Sequence, residues 1–90
     1  MKAYLITYDL KVPGKNYETL YSAIKSYGNW WHFLESNWMI VTHESSVQIW
    51  NRLAKTIDRS DFLLIIEVRR DSHGWLPKDA WDWIQAYVPE

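Results

Sequence analysis

The sequence predicts an α+β fold on the ferredoxin-like, split βαβ plan: β-α-β-β-α-β with an extra C-terminal helix, as one domain over residues 1–90. Three observations carry this expectation. Strand-like and helix-like apolar patterns alternate along the chain in that order. An aromatic hairpin occupies the middle. The other two connections contain helices, and right-handed crossovers then make the split βαβ sheet the natural arrangement.

The first strand is Lys2 to Leu10, where Tyr4, Ile6 and Tyr8 alternate with Ala3, Leu5 and Thr7. Lys11-Val12-Pro13-Gly14 is a loop with a clear turn signal. Asn16 can cap the helix that follows, in which Tyr17, Leu20, Tyr21, Ile24 and Tyr27 recur at helical spacing. Gly28 stands where a left-handed C-terminal residue is wanted. Trp30 to Leu34 and Trp38 to Thr42 are the hairpin arms, with the turn at Glu35-Ser36-Asn37. Ser45 and Gln48 form a capping-box pattern for a second helix with the stripe Val47, Trp50, Leu53, Ala54 and Ile57, ended by Asp58-Arg59-Ser60. Phe62 to Val68 is a strongly apolar strand and Arg69 to Gly74 a polar loop. Pro77 suits a first helical turn, and Ala80, Trp81, Ile84, Tyr87 and Val88 mark a short final helix.

This connectivity sets the fourth strand antiparallel beside the first, with the second hairpin arm on the first strand's other side. Asp9, Glu35 and Asp61 then share one sheet edge, and Lys2, His43, Arg69 and Arg70 the opposite one. Phe62, Leu64, Ile66 and Val68 form a wholly apolar face, which the helices are expected to cover. Leu63 and Ile65 point to a second, half-apolar face. Homodimerisation through that second face is the preferred expectation, with the Trp81/Ile84 helix folding over it as the alternative.

Composition narrows the function. The formal net charge is -1, so the basic face that holds long duplex nucleic acid is absent from the composition. No cysteine is present, which excludes disulfides and thiolate metal sites. No stretch approaches the roughly 20 apolar residues of a membrane span, and the N-terminus reads as a strand rather than a signal peptide. A cytoplasmic location is expected. Aromatic residues make up 17% of the chain, with seven tryptophans. Each tryptophan fills a core or interface, or offers a stacking surface to a flat ligand.

Several residues are candidates for chemistry. Asp9, with its dimer mate or with Asp61, could hold Mg²⁺, since hard cations favour converging carboxylates; the alternative is that Asp9 caps a turn. Lys11 and Lys15 lead into a helix N-terminus and could hold a phosphate, against the alternative of a solvated loop. Trp30, Trp31, His32 and Trp38 are the candidate stacking residues. His43 and His73 are scattered, and no Ser-His-Asp signature or phosphate loop accompanies any histidine.

The opening Ala3-Tyr4-Leu5-Ile6-Thr7-Tyr8-Asp9-Leu10 resembles the first strand of the CRISPR-associated protein two family, the small adaptation subunit. The Tyr8-Asp9-Leu10 end, the Leu20/Ile24 helix and the Trp30-Trp31-His32…Leu34…Ser36…Trp38 hairpin are more similar to the short SinR-like proteins distantly related to it. The resemblance covers most of the chain up to about Val68. It implies a ferredoxin-like homodimer linked to phage-defence or anti-defence systems, with Asp9 matching the metal-holding aspartate of nuclease-active members. The chain departs from the family in lacking a basic balance and the usual arginine soon after the first strand; Lys11 and Lys15 are the nearest substitutes.

Three functions follow as expectations. The first is a homodimeric, non-catalytic binding protein for a nucleotide-derived ligand or short nucleic acid. The second is a Mg²⁺-dependent endonuclease, on RNA or DNA, using Asp9. The third is a structural protein-interaction subunit.

Overall fold

In the computed structural model, which describes residues 1–90, the chain forms a four-stranded antiparallel sheet and three α-helices. The elements are β1 (Lys2–Asp9), α1 (Glu18–Lys25), β2 (Trp30–Leu34), β3 (Asn37–Thr42), α2 (Ser46–Leu53), β4 (Phe62–Val68) and α3 (Lys78–Tyr87), with a 3₁₀ turn at Ala54–Thr56. The strand order is β2-β3-β1-β4, so β1 lies between β3 and β4. No helix is long and apolar enough to cross a membrane.

The local signals act as their chemistry requires. Asn16 Oδ1 accepts the Glu18 N–H at 2.9 Å at the start of α1. Gly28 takes φ 89°, a left-handed conformation that costs glycine little. Ser45 and Gln48 complete a reciprocal capping box on α2. The hairpin turns at Glu35-Ser36, and an extra residue on β2 shifts its register between Trp31 and Leu34.

The pleat of β1 divides the molecule into two cores. Tyr4 and Ile6 face α1 and α2, where they pack with Leu20, Ile24, Trp38, Ile40, Ile49 and Leu53. Ala3 faces the other way, into a cluster of Trp31, Met39, Val41, Ala80, Ile84 and Val88 beneath α3. Trp31 Nε1–H donates to the Ala80 carbonyl at 3.2 Å and ties α3 to the hairpin. The C-terminus is pinned as well: the Arg70 N–H donates to the Pro89 carbonyl and its Nε–H to that of Val88.

Three expectations are corrected. The first concerns β4. Its register sets Phe62 opposite Asp9, Leu64 opposite Thr7 and Ile66 opposite Leu5, so these residues share the face of α3, not of α1 and α2. They lie beyond the reach of α3 and are 67%, 54% and 48% exposed. Leu63 and Ile65, opposite Tyr8 and Ile6, pack on the α1/α2 core instead.

The second correction is α2, which buries Ile49 and Leu53 and leaves Val47 and Trp50 exposed. Ile49 and Leu53 are spaced i, i+4 and point straight at the sheet. Val47 and Trp50 lie to one side, above the β4 edge. The third is the second sheet face. Leu63 and Ile65, expected on it, lie under α1 and α2; the face carries Phe62, Leu64 and Ile66 instead, and α3 packs on it over β1, β2 and β3.

Truncation distinguishes the two flanks of α2. Ile49→Ala should cost about 2–5 kcal/mol in urea unfolding, as buried large-to-small changes do. Trp50→Ala should cost clearly less despite removing the larger side chain. The reverse ranking would contradict this orientation of α2.

Candidate functional site

A cleft of about 290 Å³ opens between α1 and the hairpin, lined by Tyr8, Glu18, Tyr21, Lys25, His32, Glu35 and Trp38. Its floor follows from strand pairing. Trp30 pairs with Ile40, which pairs with Tyr4, so Trp30 lies on the α1/α2 face. Trp38 pairs with Ile6 on the same face. His32, in the irregular segment of β2, lies flat on Trp38 with ring centroids 3.8 Å apart and planes 5° apart. Bulges of this kind commonly re-aim a side chain near a site.

Polar groups converge around this stack. Trp38 Nε1–H donates to the Tyr8 hydroxyl oxygen at 3.0 Å. Tyr21 stacks on Trp38 at 6.0 Å. The Lys25 ammonium lies 5.3 Å from the Trp30 ring centre and 6.0 Å from that of Trp38, in cation–π range. His32 Nδ1 is 3.0 Å from the Asn37 carbonyl oxygen. A carbonyl only accepts, so the proton of the neutral ring sits on Nδ1 and Nε2 is an exposed acceptor. Burial raises the pKa of the Tyr8 hydroxyl, against the lowering effect of the Trp38 N–H, and the group stays neutral at physiological pH.

Trp30, His32 and Trp38 are thus brought together as the sequence suggested. Trp38 is buried and supports the exposed His32, while Trp30 is partly exposed beside them. Trp31 does not belong to this group: it lies buried on the opposite face under α3, since neighbouring strand residues point in opposite directions. Lys11 and Lys15 also lie elsewhere. The Lys11 ammonium pairs with Asp9 at 2.7 Å, and that of Lys15 lies 4.0 Å from Asp58 and 4.9 Å from the Tyr17 ring centre. Glu18, Tyr21 and Lys25 were missed as site residues. Their i, i+3, i+7 spacing on one flank of the Leu20/Ile24 stripe was the available signal.

Asp61 has a structural task that sequence spacing did not reveal. Its Oδ1 accepts from the Lys11 N–H at 2.7 Å and the Tyr17 hydroxyl at 2.8 Å, and its Oδ2 accepts from the Asp58 N–H at 2.8 Å. Both oxygens are therefore engaged in tying the loop after β1, the start of α1 and the turn before β4. Asp9 is exposed and paired with Lys11, and no group of three or more His, Asp or Glu side chains converges anywhere. Of the two candidate Mg²⁺ ligands, Asp9 stands in an ion pair with Lys11 and Asp61 in a turn-fixing set of hydrogen bonds. Burial by itself would raise the Asp61 carboxyl. The Lys11 and Asp58 N–H groups and the Tyr17 hydroxyl outweigh it and hold the pKa below the ordinary carboxylate value.

Compared with family models, with curated proteins and with solved structures, the chain matches none.

Asp61→Asn tests the turn-fixing role. A carboxyl with a lowered folded pKa stabilises the fold above its unfolded value, and that contribution disappears as pH falls through the folded one. The urea midpoint of Asp61→Asn should lie well below wild type near neutral pH, and the gap should narrow in strong acid. A gap that stays constant as pH falls would contradict the assignment.

Proposed function

We propose that the chain is a small, non-catalytic binding protein whose ligand, a nucleotide or a short single strand of nucleic acid, sits in the cleft between α1 and the hairpin. The single observation that carries this reading is the His32–Trp38 stack beside Trp30 and Lys25. A base laid on the open face of His32 would extend a stack that already exists, and base–aromatic stacking is worth about 1–3 kcal/mol per base. The Lys25 ammonium is the cation beside the aromatic rings and suits a phosphate. Glu18 and Glu35 offer acceptors to exocyclic amines, and His32 Nε2 offers another. One lysine among two glutamates suits a small ligand better than a long duplex, whose binding grows with the number of phosphates neutralised.

The strand order, with both crossover helices packing on one sheet face, supports a ferredoxin-like, split βαβ reading. On that reading and the sequence resemblance, we place the chain as a cytoplasmic, distant relative of the CRISPR adaptation subunit, among phage-defence or anti-defence components.

Tryptophan emission tests the ligand directly. Nucleoside triphosphates and short oligonucleotides should quench it saturably. His32→Ala and Lys25→Met, both at exposed positions, should each weaken binding about tenfold, which corresponds to the loss of about 1.4 kcal/mol. Absence of quenching with every nucleotide and oligonucleotide, or equal affinity in the variants, would overturn the proposal.

A further inference from the structure

We propose that β4 is a self-pairing edge: two copies of the chain join antiparallel along β4, about a two-fold axis at Ile65, into one continuous sheet. The inference stands apart from the cleft, which lies at the β2 end of the sheet.

The hydrogen-bond phase of the sheet shows which groups β4 leaves open. The Tyr8 N–H donates to the Ser36 carbonyl, toward β3. In an extended strand the direction of N–H and C=O alternates, so Thr7, Leu5 and Ala3 direct theirs toward β4. Their partners Leu64, Ile66 and Val68 answer them. Leu63, Ile65 and Glu67 therefore direct their N–H and C=O groups outward, away from the sheet.

An unprotected edge of this kind is a template for another strand. Natural sheets blunt such edges with bulges, prolines or charges. The opposite edge, β2, carries a register shift. The β4 edge has a regular register, neither proline nor glycine, and Glu67 as its one charged residue. Apolar side chains flank it on both sides. Phe62, Leu64 and Ile66 are exposed on the α3 side. On the α2 side, Val47, Trp50, Leu63 and Ile65 line a groove of about 320 Å³.

The occupant that fits is a second copy, because the edge is complementary to itself in one register. Centring the axis on Ile65 sets Ile65 opposite its own copy and Leu63 opposite Glu67, so all three outward-facing residues find partners. On the α3 side, Leu64 then faces Ile66 and Phe62 faces Val68 of the other copy. On the α2 side, the Val47 and Trp50 pairs meet across the axis. The flanks agree in charge, since Arg59 falls opposite Asp71. The adjacent even registers conflict. Centring on Leu64 opposes Arg59 to Arg69, and centring on Ile66 sets the apolar Leu63 opposite Arg69. Like charges directly opposite one another destabilise a strand pair.

Light scattering on the full chain, combined with paired substitutions, tests both association and register. Wild type should run at twice the 10.8 kDa chain mass. Leu64→Lys with Ile66→Lys sets lysine against lysine and should give a monomer with unchanged circular dichroism. Leu64→Lys with Ile66→Glu sets lysine against glutamate only in the Ile65-centred register and should restore the dimer. In wild type the Leu63, Ile65 and Glu67 amides should exchange slowly with deuterium, and that protection should be lost in the double-lysine chain. A monomeric wild type, which would leave the edge to a strand of a different protein, overturns the proposal. So does a double-lysine variant that remains dimeric, or fast exchange at all three amides.

Discussion

The eight residues of β1 decide where every helix of the fold must pack. The strand is paired on both sides, and its register with each neighbour runs without a shift. Side chains must therefore alternate, and one slip would exchange the two faces along the whole strand. Because Tyr4 and Ile6 on one face and Ala3 and Leu5 on the other are all apolar, both faces need a cover. The α1/α2 layer supplies one and α3 the other. The same alternation sends Trp38 toward α1 and Met39 toward α3, and so decides which aromatic residues can reach the cleft.

Polar ties then hold the layers in place. At one end, Asp61 gathers the loop after β1, Tyr17 and the Asp58 turn. At the other, the Glu44 carboxylate accepts from the Tyr27 hydroxyl at 2.6 Å and from Arg52 at 2.8 Å, while the Tyr4 hydroxyl donates to the Glu44 carbonyl. Burial first, and then the hydrogen bond to Glu44, keep the Tyr27 hydroxyl protonated well above its ordinary range. No buried side-chain nitrogen or oxygen lacks a partner. With α1 anchored at both ends, Glu18, Tyr21 and Lys25 are held over the hairpin rather than left to find it.

Local features were legible in the sequence because their causes are local. The capping box needs only Ser45 and Gln48, and the left-handed turn needs only Gly28. The grouping of Trp30 and His32 follows from their i, i+2 spacing on a strand, and Trp38 follows once the hairpin is placed. By the same alternation Trp31 belongs on the other face. What was not legible depends on packing between distant segments. The wholly apolar set of β4 resembles a core face, yet a strand at a sheet edge can expose such a set when no helix reaches over it. The α2 stripe shows the same ambiguity: Ile49 and Trp50 are adjacent and both apolar, and only docking decides between them. The turn-fixing task of Asp61 is not legible because two of its three donors belong to Lys11 and Tyr17, far away along the chain.

The β1 register brings His32, Trp38 and Lys25 together at one cleft. Proton NMR of the His32 ring is the most direct measurement of it. A ring lying flat at 3.8 Å over an indole has strongly upfield-shifted protons and NOEs to Trp38. Both are expected in the free protein, together with shifts at His32, Lys25 and Glu18 when an oligonucleotide is added, while Lys11 and Lys15 stay unmoved. Unshifted His32 protons, or ligand-induced changes confined to the Lys11–Lys15 loop, would contradict it.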